Sequence, residues 1–245
     1  MLTLFTTCRP FDNQDFTCIQ RNAMTSWSHL KPLPEVLVMG IECGVKEMCE
    51  ELGYRHVPDI EYSDHGTPML DSMMSKAEEL ASNPHLLLVS CDVVLFQDTM
   101  KALEALKEDI SEFCACVRKK QQRTITELDF SKDWESVVRR NLRWNLITSG
   151  DFYMYPKGYW DHIPEFIVGR TACDSWLFHE ASRKESLVDL TQAVEIIDYQ
   201  HRYTHRPKGW ELETKQNQVL CDGRKADIRN ANWVMQDNFK LRRTT

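Results

Sequence analysis

Neither of the two glycine-rich phosphate loops occurs in this chain: there is no Gly-x-Gly-x-x-Gly and no Gly-x-x-x-x-Gly-Lys followed by Ser or Thr. Their absence argues against dinucleotide redox chemistry and P-loop chemistry, which need backbone N–H groups wrapped closely around phosphate. Basic residues are also short. Thirty Lys and Arg against 37 Asp and Glu leave a formal charge of -7, so no surface suited to a nucleic-acid backbone is expected. The tail Lys240-Leu241-Arg242-Arg243 is too short to change that balance. No apolar run approaches the roughly 18 residues that a membrane-spanning helix needs. The nine cysteines are odd in number and form no Cys-x-x-Cys pair, which disfavours a disulfide framework or zinc ribbon and suits a reducing compartment. Met1-Leu2-Thr3-Leu4-Phe5 lacks the basic and long apolar regions of a signal peptide and reads as a first strand. A cytoplasmic location is the expectation. With no internal repeat, low-complexity tract or Gly/Ser linker, residues 1–245 are expected to form one domain.

What is present is alternation. Leu2 to Thr7 reads as a strand, and from Asp12 the apolar residues Phe16, Ile19, Ala23, Met24 and Trp27 recur at helical spacing. After Lys31-Pro32-Leu33-Pro34 the pattern repeats with a strand over Val36–Ile41 and a short helix through Met48 and Leu52 closed by Gly53. A weaker strand is expected over Arg55–Ile60, then a helix burying Leu70, Met73, Met74 and Ala77. The run Leu86–Val89 predicts a buried parallel strand, broken by Ser90-Cys91-Asp92. A further helix through Met100, Leu103 and Leu106 leads to a strand over Phe113–Val117, whose Cys114 and Cys116 are expected in the core. Strand and helix in turn mean an α/β fold with a Rossmann-like, mostly parallel sheet flanked by helices. Beyond residue 118 the pattern becomes mixed. "CDSWLFHEAS" reads as a helix with Asp174 in its first turn, and "SLVDLTQAVEIIDYQHRY" as one or two strands ending at His201.

In such sheets ligands bind outside the carboxyl ends of the strands. Thr6, Thr7 and Arg9 follow the first strand, Glu42 the second, and Ser90 and Asp92 the fourth, so a polar site is expected on that edge. An unpaired carboxylate inside a strand costs more than the roughly 2–7 kcal/mol of a neutral polar group, so Asp92 is expected where its strand surfaces. With glycine-rich loops excluded, the chemistry that fits is a strand-end carboxylate holding a divalent metal against a diphosphate leaving group.

The successive segments "VLVMGIECGV", "ELGYRHVPDIEYSDHGTPML", "LLLVSCDVVLFQD", "FIVGRTACDSWLFHEA", "VDLTQAVEIIDYQHRY" and "ETKQNQVLCDG" resemble a family of small glycosyltransferases of the A-type fold, over about Val36 to Gly223. Where that family carries Asn-Ala-Asp-Ile, a form of Asp-x-Asp, this chain has Ser90-Cys91-Asp92-Val93; Trp-Asp-Asn-Trp is matched by Cys173-Asp174-Ser175-Trp176. His-Gln-Asn-His-x-Tyr is matched by Asp198 through Tyr203, with His201 and Tyr203 kept and the first His replaced by Asp198. An acidic pair after the second strand is reduced to Ile41-Glu42.

The resemblance implies transfer of a sugar from a nucleoside diphosphate donor to a glycan or other hydroxyl acceptor. Residues 1–118 would form the nucleotide-binding half and 119–245 the acceptor and metal half. Asp92, with His201, would hold Mn²⁺ or Mg²⁺. Thr6, Thr7, Arg9, Glu42, Ser90 and Asp92 would line the nucleotide site. Asp174 would be the general base, giving inversion, with Asp151, Arg170 and Trp176 on the acceptor side. Blander readings stand beside these: Asp92 as a turn residue, His201 as a core histidine, Asp174 as a helix cap. Two other functions also stay open. One is a non-catalytic nucleotide-sugar or glycan-binding module. The other is a sugar-phosphate nucleotidylyltransferase, although Thr6-Thr7-Cys8-Arg9-Pro10 lacks the glycine-rich loop expected of one.

Overall fold

The structure, a computed structural model, describes residues 1–140, 142–144, 150–199 and 208–244. Its first half follows the alternating pattern: β1 (Leu2–Thr7), α1 (Gln14–Trp27), β2 (Glu35–Met39), α2 (Val45–Leu52), β3 (Arg55–Val57), α3 (Leu70–Leu80) and β4 (His85–Val89). Because successive strand side chains point to opposite faces, each central strand feeds two cores. Leu2, Leu4, Val36, Val38, Leu87 and Val89 pack on one face with α1 and α2, while Phe5, Leu37, Met39 and Leu86 pack on the other with α3. A strand buried on both faces has to read as a continuous apolar run, as β2 and β4 do. At the entry to α2, Gly44 adopts φ 83°, and a Cβ there would lie 2.6 Å from the Cβ of Phe11. Only glycine fits that approach of loop to helix.

The run around Asp92 is two strands rather than one. After β4 the chain turns at Ser90-Cys91-Asp92, closed by a bond from Val93 N to Ser90 O of 3.1 Å, and continues as β5 (Val93–Leu95). The remaining elements are α4 (Asp98–Asp109), β6 (Cys114–Cys116), β7 (Lys120–Gln122), α5 (Trp134–Val138), β8 (Arg143–Trp144), β9 (Phe152–Pro156), α6 (Cys173–Arg183), β10 (Leu187–Asp189), β11 (Ile196–Tyr199), α7 (Trp210–Cys221), β12 (Trp233–Met235) and β13 (Leu241–Arg243). The third strand is shorter than the run Arg55–Ile60, ending before Pro58, whose missing N–H cannot extend a ladder.

Nine strands form one sheet in the order β3-β2-β1-β4-β9-β6-β10-β12-β13, parallel except that β9 runs against both its neighbours and β13 against β12. A second sheet, β5-β11-β7-β8, is built from continuations of the first: β4 passes into β5, β6 into β7 and β10 into β11. Three chain crossings therefore leave the same carboxyl edge. Among the described residues no helix is long and apolar enough to cross a membrane.

Candidate active site

The crossings bring charged residues together. Asp92 lies between β4 and β5, Lys119 between β6 and β7, and Asp198 within β11. The second-sheet register sets Asp198 opposite Val93 on one side and Gln121 on the other, so it faces both crossings. Asp151 precedes β9, whose reversed direction delivers its start to the same edge, where Ser90 N bonds to Asp151 O at 3.0 Å. The buried ammonium of Lys119 contacts the carboxylate of Asp151 and lies 2.9 Å from Asp198 Oδ2. Ser90 Oγ donates to the other Asp151 oxygen at 2.8 Å.

Burial alone would lower the affinity of Lys119 for its proton, but Asp151, Asp198 and Asp92 outweigh it and hold the ammonium well above the usual lysine range. One cation does not neutralise three acids. Asp198, buried and close to Asp92, is accordingly pushed well above the ordinary carboxylate range, with Lys119 opposing the shift. Its Oδ1 has no hydrogen-bond partner among the described residues.

Asp174 stands beside this cluster, on the first turn of α6. Its carboxyl is raised to about 7 by burial and by the charge of Asp151, against the opposing effects of Tyr153, the Gly150 N–H and Lys119. Tyr153 Oη donates to Asp174 Oδ1 at 2.9 Å, and burial keeps that phenol neutral well above its ordinary range. Gly150 makes the approach possible, since a Cβ there would lie 1.8 Å from Tyr153 Oη. Asp174 is not the helix cap. The capping position is Ala172, held at φ 86° with no side-chain cap bond.

On the first-half side of the edge, Thr6 is buried and bonds to Thr7 O at 3.2 Å, while Thr7 Oγ1 is buried without a partner among the described residues. Glu42, three residues past β2, also has a buried oxygen, Oε2, with no partner among the described residues, and burial raises its carboxyl. Gln20 ties this region to Asp92's turn: its Oε1 accepts from Arg9 N at 2.7 Å and from Cys91 Sγ at 2.9 Å. The Arg9 guanidinium sits 4.8 Å over the ring of Phe16.

Two residues expected on the acceptor side are used elsewhere. Arg170 is buried, pairs with Glu213 (Nε to Oε2 2.8 Å), donates to Thr67 Oγ1 at 2.9 Å and lies 4.3 Å over Trp210. It clamps α7 to the loop before α3, because a buried guanidinium without a carboxylate would be far too costly to keep. Trp176 is packed against Trp160 and Phe166 in the second core and offers no open face to a sugar. His201 lies outside the described residues. Lys119 and Tyr153 were not singled out in the sequence. Lys119 follows a strand's carboxyl end, the same position that marks Asp92.

The resemblance implies a divalent cation held by Asp92 with His201; His201 lies outside the described residues, and the described residues around Asp92 suit an ammonium rather than a divalent ion. Both oxygens of Asp151 are engaged, by Ser90 and Lys119, one oxygen of Asp198 is on Lys119, and Asp92 adds its attraction to the same ammonium. Among the described residues no group of three or more His, Cys, Asp or Glu is placed to hold a metal.

No protein-family model matches the sequence, and no curated protein matches it either. Solved structures do. The chain is similar to mannosyltransferase PcManGT from Pyrobaculum calidifontis, solved with GDP-Man and Mn²⁺ (TM-score 0.51, 12% identity, 90% of this chain and 62% of that one). It is similar to S. aureus TarS (0.57, 11%, 93% and 41%) and to M. tuberculosis glucosyl-3-phosphoglycerate synthase (0.53, 10%, 92% and 82%). The chain thus spans less than two thirds of the mannosyltransferase and of TarS. TarS has also been solved with UDP-GlcNAc. At these identities the likeness speaks to architecture, and the large, mostly parallel sheet with its crossings at the carboxyl edge is the fold of the A-type glycosyltransferases.

Proposed function

We propose that the protein is a glycosyltransferase that moves a sugar from a nucleoside diphosphate donor to an acceptor hydroxyl. The observation that carries this reading is Asp174: a carboxyl raised to about 7, held by Tyr153 and Gly150, beside the charged cluster at the carboxyl edge of a fold shared with nucleotide-sugar transferases. A general base works best when its pKa lies near the working pH, because it is then both ionised and basic.

In this reading the nucleotide lies along the ends of β1 and β2, where Thr7 Oγ1 and Glu42 Oε2 are buried polar atoms with no partner among the described residues, and Arg9 belongs to the same edge. Ionised Asp174 takes the proton of the acceptor hydroxyl. The oxygen then forms its bond to the anomeric carbon of the donor as the bond to the diphosphate breaks, and the nucleoside diphosphate leaves with that electron pair. Attack opposite the leaving group inverts the anomeric centre. Asp151, fixed by Ser90, keeps Lys119 and Asp174 in one electrostatic unit. The nine cysteines, all free and mostly buried, suit a reducing cytoplasm.

The test is a panel of nucleotide sugars, with UDP- and GDP-linked donors first, read by release of nucleoside diphosphate and by mass of the glycosylated product. Donor-dependent release that Asp174→Asn abolishes supports transfer. Binding of every donor tried without release in the presence of hydroxyl acceptors would point instead to a binding module.

A further inference from the structure

We propose that the ammonium group of Lys119 is the resident cation of this site, standing where a divalent metal would otherwise sit. It would present its charge to the donor diphosphate directly. The role toward the diphosphate rests on the glycosyl-transfer reading; the identity of the cation does not.

Position is the first reason. Lys119 leaves the carboxyl end of β6 at the crossing into β7, and its Nζ reaches the carboxylates of Asp151 and Asp198 while Asp92 attracts it from the crossing of β4 into β5. A divalent ion would need oxygens at about 2.0–2.6 Å from these same acids. It would then lie beside a buried positive charge that has no other carboxylate contact among the described residues.

Lone pairs are the second reason. Asp151 bridges an ammonium and a hydroxyl, one on each oxygen, so a metal ion there would share its lone pairs with Ser90 or be brought against the Lys119 ammonium. The residue types at the crossing agree with this use. Ser90 is a hydroxyl donor that orients Asp151, and Asp198 is an acid that pairs with lysine.

Charge geometry is the third. An ammonium carries three N–H donors. Among the described residues two point to Asp151 and Asp198, and the third is offered to an oxygen of a diphosphate laid along the same edge. The buried acids serve to hold the ammonium charged and in place, which desolvation would otherwise oppose.

The experiment uses the full chain, stripped with chelator, and follows free Mn²⁺ by its electron paramagnetic resonance spectrum. Wild type should leave the spectrum unchanged, whereas Lys119→Met, which keeps the length but removes the charge, should uncover the carboxylates and bind Mn²⁺ at least about tenfold more tightly. Mn²⁺ uptake by wild type that Asp92→Asn abolishes would overturn the proposal, even if Lys119→Met fails to fold. In a second arm UDP and GDP are titrated calorimetrically in EDTA and in Mn²⁺. Affinity for wild type should agree within about threefold between the two, and Lys119→Arg should retain more of it than Lys119→Met. Affinity that appears only with Mn²⁺ would overturn the assignment. If neither nucleotide binds under either condition, glycosyl transfer itself fails, and the manganese arm still decides the cation.

Discussion

Replacing Asp174 by Asn separates a base from a structural carboxyl, because it keeps the shape and the bond from Tyr153 while removing the capacity to take a proton. The carboxyl is held at about 7 against an ordinary value of 3.8. The sign of its effect on stability follows from that direction. Below the lower value both folded and unfolded chains are protonated and the group contributes nothing. Between the two values the unfolded chain has released a proton that the folded one retains, so stability falls as pH rises, and above about 7 the full penalty is present. The gap corresponds to at most about 4 kcal/mol. Asp174 keeps some exposure to water, so about 2–3 kcal/mol is the working figure.

Asp174→Asn should therefore melt higher than wild type at pH 8, by roughly 4–12 °C at the 2–4 °C per kcal/mol usual for a chain of this size, and nearly level with it at pH 4. Turnover should fall by about 10²- to 10⁴-fold with donor affinity unchanged. Wild-type turnover should rise with pH on a limb centred near 7, and the residual rate of the variant should lack that limb. The measurements are melting scans at the two pH values and single-turnover rates across the range. Unchanged turnover would exclude Asp174 as the base. A difference in melting temperature that does not grow with pH would refute the raised carboxyl.

Tyr153→Phe removes a hydrogen bond that favours ionised Asp174; at about 1.5 kcal/mol or more, its loss should move the rising limb of the rate profile up by about one pH unit. A profile that keeps its midpoint would show that the pair is not coupled. Thr7→Val replaces a buried hydroxyl that has no partner among the described residues by an isosteric methyl, so the free protein should be no less stable while nucleoside diphosphate affinity drops about tenfold. Unchanged affinity would move the nucleotide away from β1. Arg170→Ala leaves Glu213 buried without its cation and should cost about 3–5 kcal/mol in urea titration with donor affinity retained. A stable variant with a raised acceptor KM would instead return Arg170 to the acceptor site.

The central strands and the helices around them were legible in the sequence because burial on both faces forces β2 and β4 to be continuous apolar runs and helical spacing marks α1, α3 and α4. Asp92 was legible for the same reason, as the one acid interrupting such a run. Other features depended on partners distant in the chain. Nothing local says that Arg170 turns toward Glu213, 43 residues on, or that the ring of Trp176 meets Trp160. An arginine and an aromatic near a carboxylate read alike whether they face solvent or core. The second sheet was illegible too: β5, β7, β8 and β11 are two to four residues long and pair across large separations, so no periodicity develops in any one of them.

That second sheet is what turns isolated strand-end residues into a site. A strand-end acid by itself is a turn residue in water. Pairing β11 with both β5 and β7 fixes Asp198 opposite Val93 and Gln121, one and two residues from Asp92 and Lys119 respectively, and so closes the three crossings over one another. The enclosure is buried, which makes each charge there count for more, raises Asp198 and Asp174, and favours a cation among the acids. Lys119 answers the charge that this closure gathers: the same enclosure that raises the carboxyl of Asp174 to about 7 places an ammonium against Asp151, where it opposes that rise.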